Sequence, residues 1–383
     1  MRKNNKTIKT QLLKELKRLK NKEGLLLAGF PRYPRVFGRD SLISSWQLLD
    51  IDSSIAEKTL IFLSHYQGKE SNNDKEEEPG KILHETDLEK KISKSNFPFP
   101  YYGSVDSTPL FLILFSFYFK KAKEKKFLKK HLKNIILAVD WMINYGDKDK
   151  DLFLEYERKN PRGLFHQGWK DSFENHLKIT PPVAIVEVQG YQYLALRETA
   201  KILSLFGKEK QARSLIERAR RLKREFNKRF WMEDKRYYAL ALDGEKKQKK
   251  AITSNPGHLL FTGICDKDKE KLVAKRLFSS ELWTPYGIRT HSIKEKDFNP
   301  LSYHLGSVWP HDNWIIAQGL KKQRYKNKYL KIKKALLKTY KELGYLPEFY
   351  GVSLKNKIII KGLEFKPCRF QAWAIGALLN LLS

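Results

Sequence analysis

EVQGYQYLALRETAKILSLFGKEKQARSLIERARRLKREFNKRF, residues 187–230, reads as two amphipathic helices, 187–206 and 209–230, with apolar residues recurring at helical spacing. Working outward from this hairpin, helical signals dominate. Residues 4–22 form an amphipathic helix carrying Ile8, Leu12, Leu13, Leu16 and Leu19, ending near Gly24. Residues 40–66 read as one long helix opened by an acid. Asp106-Ser107-Thr108-Pro109 begins another, with proline near the first turn. Further helices are expected at 131–145, 256–264, 267–279, 308–320, 327–343 and 371–382. Residues 69–98 are polar and acid-rich and read as a loop. Residues 234–242, with Tyr237, Tyr238 and Leu240, read as a short strand or hairpin. The total is roughly a dozen helices of ordinary length, with no parallel-strand pattern and no short repeat. One all-helical domain is the economical expectation. Segments rich in Gly, Pro and aromatics alternate with plain amphipathic helices. If inner and outer helices alternate in a barrel, the loops at one end would collect these segments into one cleft.

The 383 residues are ample for a real core, and 41% hydrophobic content is globular. The formal net charge of +32 puts nucleic acid or another polyanion under consideration. The charge lies in Lys-rich helix faces at 120–133, 208–228 and 321–341, with Leu128, Leu132, Ile135 and Ile136 beneath the first. A solvated outer face is the expectation. No zinc-finger spacing, phosphate-binding loop or RNA-binding signature supports nucleic acid as partner. Two cysteines, Cys265 and Cys368, make no disulfide framework and favour a reducing compartment. The N-terminus lacks the form of a signal peptide. The longest apolar run, 109–119, is too short for a bilayer, which takes ~20 residues. A cytoplasmic protein without membrane contact is expected. The Asp147, Asp149, Asp151 spacing resembles half a calcium loop but lacks its glycine and distal glutamate, so a turn is expected there and no metal.

Two stretches concentrate the chemistry: Gln167-Gly168-Trp169-Lys170-Asp171-Ser172 and Leu346-Pro347-Glu348-Phe349-Tyr350. Each sets a carboxylate among aromatics and Gly or Pro. Glycoside hydrolysis uses two carboxyl groups, one protonating the leaving oxygen and one activating water. Asp171 is read as the acid and Glu348 as the base; the alternative is two solvated loop acids. Trp169 beside Asp171 could stack on a sugar and supply the apolar wall that raises an acid's pKa. Arg39-Asp40, in Phe37-Gly38-Arg39-Asp40-Ser41, offers a donor fork beside an acceptor pair, suited to adjacent sugar hydroxyls. The competing reading makes Asp40 a helix cap. Val308-Trp309-Pro310-His311-Asp312-Asn313 is either a substrate site or a capped helix start, and Asp312 is the rival base. Asp106, Glu187, Gln189 and His258 complete the candidate binding set, and Trp283 is a further stacking candidate. No serine elbow, Cys–His pair or His-Glu-x-x-His motif is present.

These segments, with Ser254-Asn255-Pro256-Gly257-His258 and Gln371-Ala372-Trp373-Ala374, resemble the amylo-α-1,6-glucosidase (glycogen debranching enzyme) catalytic domain, in order from about Ala28 onward. The resemblance implies an all-α (α/α)6 toroid of the six-hairpin glycosidase kind, with short β-hairpin insertions. It implies inversion at the anomeric carbon, Asp171 as acid, Glu348 as base, and no cofactor. The expected carboxyl separation is ~6.5–9.5 Å. Lys170 shares the acid's motif and joins the binding set. The substrate implied is an oligo- or polysaccharide with an α-1,6-linked glucosyl unit. Trehalase-like or glucosylglycerate-type hydrolysis on the same fold is the alternative, and a non-catalytic sugar- or nucleic-acid-binding protein is the reading from another class. That family usually carries a β-rich domain before the barrel. Residues 1–24 therefore read as a linker remnant and 25–383 as the catalytic domain, with a separate β-rich partner or a homo-oligomer as the implied assembly.

Overall fold

The computed structural model describes residues 2–88 and 97–383. Its helices are α1 (Arg2–Arg18), α2 (Gly38–Leu48), α3 (Ser53–His65), α4 (Ser107–Ala122), α5 (Lys125–Lys130), α6 (Leu132–Asn144), α7 (Val186–Leu205), α8 (Glu209–Arg229), α9 (Leu259–Thr262), α10 (Lys267–Arg276), α11 (Pro310–Lys322), α12 (Lys326–Leu343) and α13 (Ala372–Leu382). Among the described residues the strands are two residues long and pair antiparallel, some between distant segments, as Gly29–Phe30 does with Phe370–Gln371. The chain divides into two compact units. Unit 1 comprises Met1–Pro34, Trp231–Leu240 and Lys250–Ser383; unit 2 comprises Arg35–Phe230 and Ala241–Lys249.

Unit 2 is built on helix pairs. α7 packs on α8 and on α4, and α2 packs on α3 and α4. α4 is apolar almost all round and buried along nearly its whole length, as a core helix must be. α8 instead buries one stripe, including Leu215, Ala219, Leu222 and Phe226, and turns its lysines and arginines outward. Burying each leucine contributes about 1.5–3 kcal/mol. The expected 40–66 helix is broken after Leu48. Asp52 turns extended, and its Oδ1 accepts from the Ser54 amide (3.2 Å) and hydroxyl (2.5 Å), so a new helix starts at Ser53. The expected hairpin at 234–242 also divides. Tyr237–Tyr238 pairs with Trp231–Met232 in unit 1, whereas Ala241–Leu242 lies between Ala184–Ile185 and Gln248–Lys249 in unit 2. The 69–98 loop holds a strand, Glu85–Thr86, paired with Val36–Phe37.

In unit 1, α11 packs on α9, α12 and α13, and α1 packs on α13. α1 buries Ile8, Leu12 and Leu16, and Leu19 is buried just beyond it. The apolar face of α1 is therefore buried within this unit. Among the described residues no helix is long and apolar enough to cross a membrane.

Candidate active site

In unit 2 one arginine organises the acids. Arg39 opens α2 from a buried position because Gly38 lets the backbone sit tight; a Cβ there would meet Leu83 O at 2.1 Å. Its Nε donates to Asp106 Oδ2 (2.6 Å), its Nη1 to Asp171 Oδ2 (2.8 Å) and its Nη2 to Gly168 O (2.9 Å). Such a fork fixes geometry as well as charge. Burial alone would lower the arginine's pKa, but Asp106, Asp171 and Asp40 hold it above its ordinary value, so it stays charged. Burial raises the Asp171 carboxyl above the usual aspartate range, Arg39 works against that, and Asp106 adds repulsion. The Asp171 side chain keeps 25% exposure while Asp106 has 1%, so Asp171 is the accessible acid of the pair. Asp106 spends its other oxygen on the Ser104 hydroxyl (2.8 Å) and makes no cap for α4. Asp40 lies in the first turn of α2, buried; the residue before the helix is Phe37, so Asp40 does not cap it.

The acid's loop is closed on itself. Ser172 O accepts from the amides of Phe165 (2.8 Å) and His166 (3.1 Å), and Gln167 O accepts from Val105 N–H (3.0 Å). His166 lies with Nδ1 2.7 Å from the Tyr156 hydroxyl and Nε2 3.1 Å from Asn175 Oδ1. Burial first, then His176, brings its pKa down to about 3, so this ring is neutral. Trp169 is 3% exposed, and the Lys170 ammonium lies 5.3 Å from its ring centre; Lys170 is buried. Glu187, in the first turn of α7, is buried with Oε1 near Gly168. Gln189 differs from its expected sugar-binding role. Its amide clamps backbone, accepting from Leu154 N–H (2.9 Å) and donating to Leu154 O (2.8 Å) and Ile185 O (3.0 Å), which uses both of its donors.

The remaining candidates lie in unit 1. Val308 and Tyr350 exchange backbone hydrogen bonds (2.8 and 3.1 Å), setting the Trp309 segment beside the Glu348 segment. Glu348 is 1% exposed; Oε1 accepts from the Tyr303 hydroxyl (2.5 Å) and Oε2 from the Cys368 amide (2.9 Å). Burial first, and then Glu348, push the Cys368 thiol up to about 12, so it stays protonated. Trp309 is a packed ring rather than an open platform. It stacks at 17° on Phe349 and at 20° on His304, and its indole donates to Tyr303 O (2.8 Å). His311 stacks on Trp373 at 3.7 Å. Asp312 does not cap α11; its Oδ1 lies 2.8 Å from His258 Nε2, and both residues are fully buried. Asn313 grips Ile288 and Trp309 backbone instead. Trp283 is half-buried and stacks on Phe278 (4.8 Å).

Sequence reasoning missed several members of these clusters. Glu85 takes Arg35 Nη1 at 2.9 Å; burial raises it to about 7 against that pairing, with Asp171 and Asp87 adding repulsion. It belongs to a two-residue strand, too short for any alternation to be read. Tyr303 lies in a Gly-, Pro- and aromatic-rich segment, 299–313, where nothing in the sequence singles it out from its neighbours. The Asp147, Asp149 and Asp151 oxygens do gather within 4.8 Å of one another. Lys246 brings its ammonium to Asp149 (2.6 Å) and Asp151 (3.1 Å) and pairs with Glu155, while Arg218 pairs with Asp147 and Arg229 with Asp151. The protein's own cations thus sit among these acids.

The sequence model described as mannosylglycerate hydrolase MGH1-like glycoside hydrolase domain matches residues 120–351, more than half of the chain. No curated protein matches. Among solved structures, the GH63 mannosylglycerate hydrolase from Thermus thermophilus in complex with Tris superposes with TM-score 0.73 at 15% identity, over 98% of this chain and 99% of that one. The same enzyme in complex with Tris and D-glycerate, and in complex with glucose, each gives TM-score 0.73 at 14% identity over the same shares. The likeness shows the fold: the all-α, (α/α)6 toroid class expected from the sequence, with its short strand pairs.

Proposed function

The chain belongs to the mannosylglycerate hydrolase MGH1-like glycoside hydrolase family, and from that premise we propose that it is an inverting α-glycosidase acting on a small glycosyl glycerate, with a glucosyl unit as the preferred sugar. The observation that carries this reading is the family match itself, which spans both Asp171 and Glu348. The solved relatives add support: the Thermus enzyme was crystallised with D-glycerate and with glucose. These comparisons favour the glucosylglycerate-type alternative over the branch-point α-1,6-glucosidase that the motifs suggested.

In this proposal Asp171 is the general acid. Burial holds its pKa above the usual aspartate range, the direction a general acid needs, and Arg39 fixes the carboxyl's direction. Glu348 is the base. It takes a proton from water as the water's oxygen bonds to the anomeric carbon, while Asp171 gives its proton to the departing glycerate oxygen. The anomeric configuration inverts. Arg39, Asp40, Asp106, Trp169, Lys170, Glu187, His258, Trp309, His311 and Asp312 are proposed to bind substrate or to shape the surface that does. Gln189 and Trp309 contribute by holding backbone and packing rings, respectively.

The test is a panel of α-glucosylglycerate, α-mannosylglycerate, panose, maltose and trehalose offered to the purified chain. Cleavage of a glycerate glycoside well ahead of panose is expected. Preferential release of glucose from panose would restore the branch-point reading.

A further inference from the structure

Glu348 does not stand alone in unit 1. Its two oxygens are each met by a donor on a different segment, the Tyr303 hydroxyl at 2.5 Å and the Cys368 amide at 2.9 Å. Cys368 also takes the Glu348 amide on its own carbonyl (3.0 Å), so glutamate backbone and side chain are tied to one residue. Tyr303 is in turn held from several sides. Its amide donates to Glu364 Oε2 (2.8 Å), and its carbonyl accepts from the Trp309 indole (2.8 Å) and the Ser307 hydroxyl (2.7 Å). Its ring meets Phe349 and Phe365 edge-on at 4.9 and 5.1 Å.

The hydroxyl of Tyr33 lies 3.2 Å from that of Tyr303. A phenol has one proton, and the carboxylate is the stronger and closer acceptor for the Tyr303 proton. Tyr33 is therefore the donor in the tyrosine pair, and the order runs Tyr33 to Tyr303 to Glu348. The Arg32 guanidinium lies 5.2 Å from the Tyr33 ring centre and 5.8 Å from that of Tyr303. A cation over these rings makes each phenol a better donor.

We infer that Tyr303, supported by Tyr33 and Arg32, is a positioning residue for the base: it holds the Glu348 carboxylate in one orientation and favours its charged form. The inference rests on the reading of Glu348 as base. A bond donated to the ionised carboxylate lowers its pKa, so the base stays deprotonated to lower pH than burial alone would allow. A carboxylate oxygen has two lone pairs, so the bond from Tyr303 is compatible with its accepting a proton from water. The arrangement differs from the acid's, where a full cation, Arg39, does the orienting. The Tyr303 phenol and the Cys368 backbone amide, donors to the Glu348 oxygens, are both neutral.

The test uses the full chain as Tyr303→Phe, Tyr33→Phe and Glu348→Gln. Carboxyl-13C-labelled glutamate is titrated by NMR with no substrate present, the Glu348 signal being the one lost in E348Q. A charge-assisted bond of ordinary strength shifts a pKa by about one unit. Y303F should raise the Glu348 pKa by about that much, and Y33F should raise it by less. On α-glucosylglycerate, the acid limb of kcat/KM should move to higher pH by the same amount, with kcat reduced and KM little changed. An unmoved Glu348 signal in both tyrosine variants overturns the inference whatever the substrate. A moved signal with an unmoved acid limb, while E348Q is inactive, overturns the catalytic role of Tyr303 and leaves the base assignment standing. Full activity of E348Q overturns the base assignment, and the positioning role with it.

Discussion

Replacing Arg39 by methionine removes one guanidinium from a place where three acceptors converge. Arg39 is 2% exposed, and it bonds Asp106 at 2.6 Å, Asp171 at 2.8 Å and Gly168 O at 2.9 Å. Methionine matches the aliphatic volume but leaves two carboxylates without their counter-charge. Removing one member of a buried ion pair costs about 3–5 kcal/mol, largely the cost of the charge left behind. The Asp171 carboxyl can escape by taking a proton. Its pKa is already raised by burial, and Arg39 is what restrains it, so the variant raises it further. A carboxyl raised in the folded state stabilises the fold less as pH climbs from its unfolded value through its folded one. The penalty of Arg39→Met should therefore be smaller at pH 5 than at pH 8. Urea unfolding followed by circular dichroism at both values reads this directly. Adding Asp106→Asn should recover part of the loss, because removing both partners costs less than removing one. A loss below about 1 kcal/mol, or one equal at both pH values, would refute the view that this arginine carries the acid cluster.

Asp171→Asn and Glu348→Gln should each lower kcat about 10²–10⁴-fold in protein that circular dichroism shows to be folded, since each loses a proton-transfer group while keeping a side chain of the same shape. Glu85, held near 7 by burial against an ordinary 4.5, should cost the fold up to about 3 kcal/mol as pH rises through that interval. Glu85→Gln should flatten the stability profile between pH 4.5 and 7, measured by thermal melts across buffers. Lys246→Met should destabilise unit 2 by about 3 kcal/mol, because Glu155 and Asp149 lose their cation. EDTA should leave the parent's melting curve unchanged, as expected if Lys246 serves where a metal otherwise would.

The helices were legible because their apolar stripes repeat over many residues, as in the 187–230 hairpin, where predicted and observed bounds differ by one residue at most. The break after Leu48 was not, because it hangs on Asp52 capturing the next helix's amide, a local bond that periodicity does not encode. Arg39, Asp106 and Asp171 were singled out by residue type and family resemblance. That one guanidinium joins them across separations of 67 and 132 residues is a property of the fold, not of spacing. Residue type does not tell what a side chain will bind: the Gln189 amide suits a sugar hydroxyl and a peptide group equally well, and it holds the peptide at Leu154. Nor does it tell what a ring will meet: Trp309 packs on Phe349 and His304. Tyr303 and Glu85 lay below notice because single polar residues in short loops and two-residue strands carry no pattern.

The most direct measurement is proton NMR of the glucose first released from α-glucosylglycerate by the parent protein, recorded before mutarotation. Asp171 as acid and Glu348 as base activating water predict β-glucose in the earliest spectra. α-Glucose appearing first, or no hydrolysis of this substrate by folded protein, would contradict the account.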